Sequence, residues 1–167
     1  PVFIETANEI GVLKKASKGG KVPRATWYTQ DGGEAEVTFR TGERPEALRG
    51  PSKAGLWLDE ASIMSEDVFK LAIATLRHKG GMGWLSLTFT PKGKRHWTFE
   101  AFYDRVETED GTDYRLKVEK IEQYAKYCHL VQAHTLENPF LPPDFYRLMK
   151  ANYGSVLADQ ELGGEFV

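Results

Sequence analysis

Apolar and polar positions follow three different spacings along the 167-residue chain. Residues 34–40 alternate between apolar and polar side chains, and this spacing of two predicts a half-buried strand. Residues 25–29 form a second strand candidate, and Asp31 and Gly32 lie between the two segments. Because Asp-Gly pairs favour tight turns, the two segments are predicted to form a β-hairpin.

A different spacing, a short unbroken apolar run, occupies residues 56–58 between Gly55 and the adjacent carboxylates of Asp59 and Glu60. Three apolar residues are too few for a helix core, so the run predicts a buried strand of about five residues. Ligands of open α/β sheets bind outside the carboxyl ends of the strands, which places both acids at a nucleotide crevice. The alternative is that Asp59 and Glu60 only favour the start of a following helix.

The third spacing is helical and follows Ser65. Its apolar positions are Val68, Phe69, Ala72, Ile73 and Leu76. A helix is therefore predicted here, ending before the glycines at 80 and 81. Residues 84–89 form another apolar strand, and strand, helix and strand together predict a βαβ unit with parallel strands.

The end of this second strand brings Thr90 to the same sheet edge as Asp59. Two acids after a buried strand suit a Walker B element, in which the first helps to hold Mg²⁺ and the second polarises the attacking water. A hydroxyl beside them can hydrogen-bond the γ phosphate or that water. The alternative is a simple turn, since Pro91 and Gly93 favour turns in any protein.

The remaining segments predict further elements with fewer functional implications. We expect a helix that begins near Val2 and ends in a basic turn of Lys14, Lys15 and Lys18 before the glycines at 19 and 20. Further on, we expect a helix at 96–104, an acidic loop at 107–113, a strand at 127–133, a proline-rich connection at 135–143, and helices at 144–153 and 155–163. Cys128, His129 and His134 lack metal-ligand spacing and are interpreted as strand residues.

Composition narrows the functional classes only slightly. A net charge of −2 gives no global sign of nucleic-acid binding, so any basic surface must be local. A single cysteine excludes an intrachain disulfide and suits a reducing compartment. No apolar run approaches the roughly 20 residues that span a bilayer. Gly20 and Lys21 do not complete a phosphate-binding loop, because Lys15 and Val22 break the pattern.

Five motifs, taken in order, resemble the large terminase subunit of tailed bacteriophages, the ATP-driven motor that packages DNA into the capsid. They are Arg44-Pro45-Glu46-Ala47-Leu48-Arg49-Gly50, residues 56–62, Thr90-Pro91-Lys92-Gly93, residues 135–141 and residues 160–167. The resemblance extends over nearly the whole chain.

The resemblance implies a role for three residues of the predicted crevice. Asp59 would be the Mg²⁺ partner, Glu60 the catalytic base, and Thr90 the coupling residue that senses the γ phosphate. The sequence departs from the family at Phe89, where a small hydroxyl residue often precedes the Thr-Pro pair. That departure leaves Thr90 as the only hydroxyl assigned to this motif.

A fourth residue, Arg49, is similar to an arginine that in some family members acts on the ATP of a neighbouring subunit. A guanidinium inserted at the transition state can raise the rate about 10³- to 10⁵-fold in comparable NTPases. The alternative is that Arg49 pairs locally with Glu46 or another nearby acid.

The resemblance also implies a three-layer α/β fold of the P-loop NTPase type with a mainly parallel sheet, incomplete at its N-terminal side. Residues 1–167 would be part of an ATPase domain, with the phosphate-binding loop upstream and a nuclease domain downstream, and would be inactive alone. The expected cofactors are ATP and Mg²⁺. The expected partners are double-stranded DNA, a portal protein, a small terminase subunit and further copies in a ring, in the host cytoplasm and without a membrane.

Two other functions remain open from the sequence. One is a helicase-like DNA-dependent ATPase, since paired acids and threonine-containing motifs occur there too. The other is a non-catalytic assembly or DNA-binding module that retains half of a nucleotide fold.

Overall fold

The computed structural model describes residues 8–17, 22–50, 52–78, 81–116 and 129–167. The chain divides into two compact units, Pro1–Pro51 and Ser52–Val167. Among the described residues, no helix is long and apolar enough to cross a membrane.

The first unit contains a three-stranded antiparallel sheet in the order β1-β2-β3. Its strands are β1 (Leu13–Ser17), β2 (Arg24–Tyr28) and β3 (Glu34–Thr38). The predicted hairpin of β2 and β3 is confirmed. Asp31 Oδ1 accepts hydrogen bonds from the Thr29 hydroxyl and the Gly33 amide in the turn, and these bonds lower the pKa of Asp31. Gly32 supplies the positive φ, 81°, that the turn needs.

The helix predicted to end in a basic turn is present at Asn8 and Glu9 but is wrong from Leu13 onward, where the chain is a strand. Lys14 and Lys15 lie in β1, although residues 1–7 and 18–21 are outside the described part of the chain. Lys14 pairs with Glu34 and lies over the Tyr28 ring, 5.5 Å from its centroid. Contacts with other strands therefore decide the conformation of this segment, which its local spacing does not reveal.

The second unit contains the predicted βαβ arrangement. Its members are β4 (Gly55–Leu58), α1 (Glu66–Thr75) and β7 (Trp84–Leu87). β4 and β7 are parallel, with Gly55 opposite Trp84 and Leu58 opposite Leu87. Leu58 of β4 and Val68 and Ala72 of α1 are buried, which gives these elements an apolar core.

A short antiparallel pair follows α1 where the glycines were expected only to end the helix. It consists of β5 (Arg77–His78) and β6 (Gly81–Met82). Ser65 stands at the N-cap position of α1, but its side chain makes no capping hydrogen bond.

The chain after β7 forms α2 (Trp97–Phe102), β8 (Tyr103–Thr108), β9 (Gly111–Leu116), α3 (Phe145–Asn152) and α4 (Ser155–Glu161). All three helices fall where the sequence predicts them.

Two expectations about this part of the chain are wrong. The acidic loop expected at 107–113 belongs to the antiparallel hairpin of β8 and β9, whose turn is closed by a 2.8 Å hydrogen bond from the Thr108 hydroxyl to the Gly111 carbonyl. The acidic side chains of this segment are exposed, so they do not oppose strand formation.

The strand expected at 127–133 is absent over 129–133, and 127–128, which include Cys128, lie outside the described residues. His129 is irregular, and His134 caps a 3₁₀ turn at Thr135–Glu137, where its ring accepts a hydrogen bond from the Leu136 amide. A polar acceptor before a helical turn favours a cap over a strand.

Candidate functional site

The backbones of β4 and β7 stay paired beyond the last residue of each strand. The Thr88 amide donates to the Leu58 carbonyl at 3.0 Å, and the Ala61 amide donates to the Thr88 carbonyl at 2.9 Å. The two chain segments therefore remain side by side where Asp59 and Glu60 follow β4. This is the carboxyl end of a parallel pair, where ligands of α/β sheets bind.

Asp59 is bonded directly to the neighbouring strand end. The Thr88 hydroxyl donates to Asp59 Oδ1 at 2.7 Å, and Trp57 Nε1 donates to the same hydroxyl oxygen at 3.1 Å. Side chains alternate along a strand, so Trp57 and Asp59 project from one face of β4. One hydroxyl thus connects both side chains across the strand pair.

Glu60 has a left-handed backbone, with φ 50° and ψ 46°. It is the only non-glycine residue with positive φ among those that the structure describes. Such a conformation costs about 1 kcal/mol and often occurs at functional sites. Asp59 and Glu60 are both exposed, and neither forms an ion pair with any described residue.

The 3₁₀ turn that follows, Ala61–Ile63, holds this strained backbone in place. Ala61 is fully buried, and Ser62 is nearly so. Trp97 Nε1 donates to the Met64 carbonyl at 2.9 Å, and the Trp97 ring stacks on Phe69 with centroids 5.2 Å apart. The acid pair is therefore attached to α1 and α2 rather than carried by a loose loop.

Thr90 lies beyond Thr88 on the segment that leaves β7. Its side chain is half-buried and has no hydrogen bond to a described residue, while Pro91 after it is buried. The structure brings Thr88, rather than Thr90, into contact with Asp59.

Phe89 has a packing role that accounts for its departure from the family pattern. Its ring lies 6.2 Å from that of Phe102 and 6.0 Å from that of Phe166. An aromatic side chain here attaches the segment between Thr88 and Thr90 to α2 and to the last residues of the chain. A small hydroxyl residue could not make these contacts.

His96 caps α2 at the end of the same segment. Its Nδ1 accepts a hydrogen bond from the Thr98 amide at 3.3 Å, which requires the neutral ring. Burial and, to a lesser extent, the charge of Lys92 lower the pKa of His96, and Glu100 opposes them. The neutral form that the cap requires is thus favoured.

Arg49 belongs to the first compact unit, whereas Asp59, Glu60 and Thr90 belong to the second. Its Nε forms an ion pair with Glu46 Oε2 at 2.5 Å, and the two side chains are 66% and 73% exposed. The local pairing that the sequence left open is therefore present. Exposed ion pairs contribute little to stability, so the guanidinium could exchange this partner for another anion.

The donor set at the strand ends suits Mg²⁺ held together with phosphates. The described residues contain no group of three or more His, Cys, Asp or Glu side chains that could hold a metal alone. Magnesium in nucleotide sites is typically bound by one or two carboxylates plus substrate phosphates and water. Asp59, with Glu60 beside it, provides such a carboxylate.

The sequence did not predict that Thr88 bonds Asp59, or that Trp57 bonds Thr88. The contact between Thr88 and Asp59 depends on the register of β4 and β7, in which continuing the Leu58–Leu87 pair by one residue places Asp59 opposite Thr88, and the sequence does not determine that register. Both side chains then fall on one face of the pair.

Comparison with known proteins identifies the family. The family model described as phage terminase large subunit matches residues 23–153. A crystal structure of the large terminase of a thermophilic bacteriophage has a TM-score of 0.72 and 16% identity, over 98% of this chain and 36% of that one. A crystal form of the same large terminase in complex with ADP has a TM-score of 0.69 and 16% identity, over 98% and 35%.

A mutant of the large terminase ATPase domain of Thermus phage P74-26 has a TM-score of 0.61 and 20% identity, over 96% of this chain and 66% of that one. No curated protein sequence matches the chain. The chain spans about a third of the length of the full large terminase that it resembles. The fold is thus that of terminase ATPase domains, and the chain belongs to the phage terminase large subunit family.

Proposed function

We propose that this chain is part of the motor ATPase of a phage large terminase, which couples ATP hydrolysis to the translocation of double-stranded DNA into a capsid. The observation that supports this most directly is the acid pair at the end of β4, with Asp59 bonded to Thr88 at the end of β7. In a member of this family, such a strand edge suits binding and hydrolysis of a nucleotide.

The proposed cofactors are ATP and Mg²⁺. A complex of a structurally similar large terminase with ADP supports nucleotide binding. Asp59 would hold the metal, directly or through water, and Mg²⁺ would neutralise charge on the β and γ phosphates. Asp59 Oδ1 is engaged by Thr88, which leaves Oδ2 for this role.

Glu60 is the proposed catalytic base. Its carboxylate is exposed and follows Asp59 directly, and its left-handed backbone turns the chain sharply after Asp59. A carboxylate next to the metal-binding residue can orient water and accept its proton. Thr90 would hydrogen-bond the γ phosphate and so report its presence to the segment attached through Phe89.

Arg49 is proposed to act on the ATP of a neighbouring subunit. Its exposure and its single, exposed ionic partner support this, because exchanging Glu46 for a phosphate costs little. A guanidinium in that position stabilises charge that develops on the transferred phosphoryl group.

The wider setting follows from family membership alone and is part of the proposal. We expect the complete subunit to have a three-layer fold with a phosphate-binding loop and a nuclease domain outside these 167 residues, and to depend on them for activity. It would assemble as a ring with a portal protein and a small terminase subunit in the host cytoplasm.

The proposal is tested by replacing Asp59 in the complete subunit. Asp59→Asn keeps the shape of the side chain but loses the charge, so Mg²⁺-dependent ATP hydrolysis should fall about tenfold or more. Asp110→Asn, in the exposed turn between β8 and β9, is the matched control and should hydrolyse ATP like the wild type. Wild-type hydrolysis by Asp59→Asn at limiting Mg²⁺ would contradict the assignment.

A further inference from the structure

We infer that Trp57 and Thr88 form a hydrogen-bond relay that orients the Asp59 carboxylate, which makes both of them positioning residues for the metal and nucleotide. This inference rests on the proposed function, because it concerns the same site. It assigns roles to Thr88, which lies outside the five motifs, and to Trp57, which lies within the motif at residues 56–62 but was given no role there.

The direction of the two hydrogen bonds is determined by the chemistry of the groups. The indole Nε1 of Trp57 can only donate, so the Thr88 oxygen accepts its hydrogen at 3.1 Å. An ionised carboxylate can only accept, so the single Thr88 hydrogen goes to Asp59 Oδ1 at 2.7 Å. Each bond strengthens the other, because a hydroxyl that accepts becomes a better donor.

The position of the Thr88 hydroxyl is set by backbone bonds on both of its sides. The Thr88 amide donates to Leu58, and the Thr88 carbonyl accepts from Ala61. Leu58 and Ala61 flank the acid pair, so Thr88 is attached to the same turn whose carboxylate it contacts. Because Oδ1 accepts this hydrogen bond, the carboxylate is oriented so that Oδ2 is the oxygen with both lone pairs open to a cation.

A purely structural reason for the relay is weak. The Trp57 residue is 58% exposed, and water could satisfy its indole N–H if Thr88 did not. Asp59 and Thr88 are also exposed. A relay among exposed groups adds little to folding, whereas fixing a metal-binding carboxylate has a direct effect on metal affinity.

The test compares four variants of the complete subunit. Thr88→Val removes the hydroxyl but keeps the shape, and Thr88→Ser keeps the hydroxyl. Trp57→Phe removes the indole donor but keeps an aromatic ring. Ser86→Ala is the control, because Ser86 lies opposite Trp57 in the strand pair and is exposed.

The measurement is the affinity for a non-hydrolysable ATP analogue in Mg²⁺ and in EDTA. Replacing a residue that hydrogen-bonds to a metal ligand commonly lowers metal affinity about tenfold or more. The ratio of the affinity in Mg²⁺ to the affinity in EDTA should therefore be about tenfold smaller for Thr88→Val than for the wild type. For Trp57→Phe this ratio should fall by less. Thr88→Ser and Ser86→Ala should keep the wild-type ratio, and all variants should bind alike in EDTA.

A second measurement reports on the relay without nucleotide. In protein labelled with ¹⁵N at tryptophan, the Trp57 indole N–H resonance should move in Thr88→Val and return in Thr88→Ser. The Trp84 resonance should stay in place.

The results separate this inference from the proposed function. A wild-type protein that gains no affinity from Mg²⁺ would overturn the nucleotide site, and the relay with it. A normal wild-type gain that is also kept by both Thr88→Val and Trp57→Phe would overturn the relay alone. If Thr88→Val does not fold, Trp57→Phe still decides between these outcomes.

Discussion

Asp59 and Glu60 follow β4, and Thr88 follows the parallel strand β7. The two acids are held in different ways. Asp59 is oriented by the Thr88 hydroxyl, while Glu60 is held by its strained backbone between Asp59 and the buried Ala61. Strain of this kind persists only where surrounding contacts stabilise it. The residue scale therefore predicts a conflict between stability and activity at Glu60.

Replacing Glu60 with glycine tests that conflict. Glycine adopts positive φ without steric cost, so the relieved strain should raise the free energy of unfolding of Glu60→Gly by about 1 kcal/mol. This variant should therefore unfold at a higher temperature than the wild type, while losing ATP hydrolysis. Glu60→Gln keeps the strain and should unfold like the wild type. Thermal unfolding of the three proteins makes the comparison. A glycine variant less stable than the glutamine variant would show that the backbone is not strained.

Arg49 gives a second prediction at this scale. If it acts on a neighbouring subunit, Arg49→Ala subunits mixed with Glu60→Gln subunits should regain some ATP hydrolysis, because some mixed interfaces contain both intact groups. Each variant alone should be inactive. Hydrolysis measured over a range of mixing ratios provides the test, and no recovery at any ratio would favour the Glu46 pair as the only role of Arg49.

The elements that the sequence predicted correctly are those whose own residues show a clear pattern of apolar and polar positions. β3 alternates, β4 and β7 are short apolar runs, and α1 has a buried apolar face. The missed elements depend on a partner strand. The lysines of β1 are typical of the last turn of a helix, but Lys14 pairs with Glu34 of β3 in the folded chain. The β8–β9 hairpin contains acidic residues, and their side chains are exposed.

The candidate site divides in the same way. The carboxylates at the end of β4 follow from a local pattern that the sequence displays. The contact between Asp59 and Thr88 depends on the register of two strands 29 residues apart, and strand spacing alone does not determine a register. Phe89 departs from the family pattern, and its packing against Phe102 and Phe166 explains why an aromatic residue is favoured there. The sequence alone does not reveal these contacts.

The cap of α2 gives a prediction about pH. Because the pKa of His96 is lowered in the folded protein, the unfolded chain binds more protons between the lowered value and the ordinary value of about 6.5. This contribution to stability is complete above pH 6.5 and is lost as the pH falls through the lowered pKa. Protonation also removes the acceptor for the Thr98 amide.

Thermal unfolding between pH 7.5 and pH 5 measures the effect of His96. His96→Asn keeps a capping acceptor but does not titrate, so its melting temperature should fall less at acid pH than that of the wild type. His96→Ala removes the cap and should be less stable by about 1 kcal/mol even at pH 7.5. Parallel pH profiles of wild type and His96→Asn would contradict the role of this histidine.

At the scale of the whole molecule, the fold is shared with large terminases at 16% to 20% identity. That likeness establishes the fold, and the match of residues 23–153 establishes the family. We propose that Asp59 and Glu60 perform separate tasks in the complete subunit, Asp59 on the metal and Glu60 on water.

The most direct measurement of that claim compares ATP binding with ATP turnover in the complete subunit carrying Glu60→Gln. Glutamine can still lie beside the nucleotide but cannot accept a proton, so ATP should bind as in the wild type while turnover falls about 100-fold or more. Glu109→Gln, in the exposed turn after β8, should keep both. Turnover at the wild-type rate in Glu60→Gln would show that Glu60 is not the catalytic base.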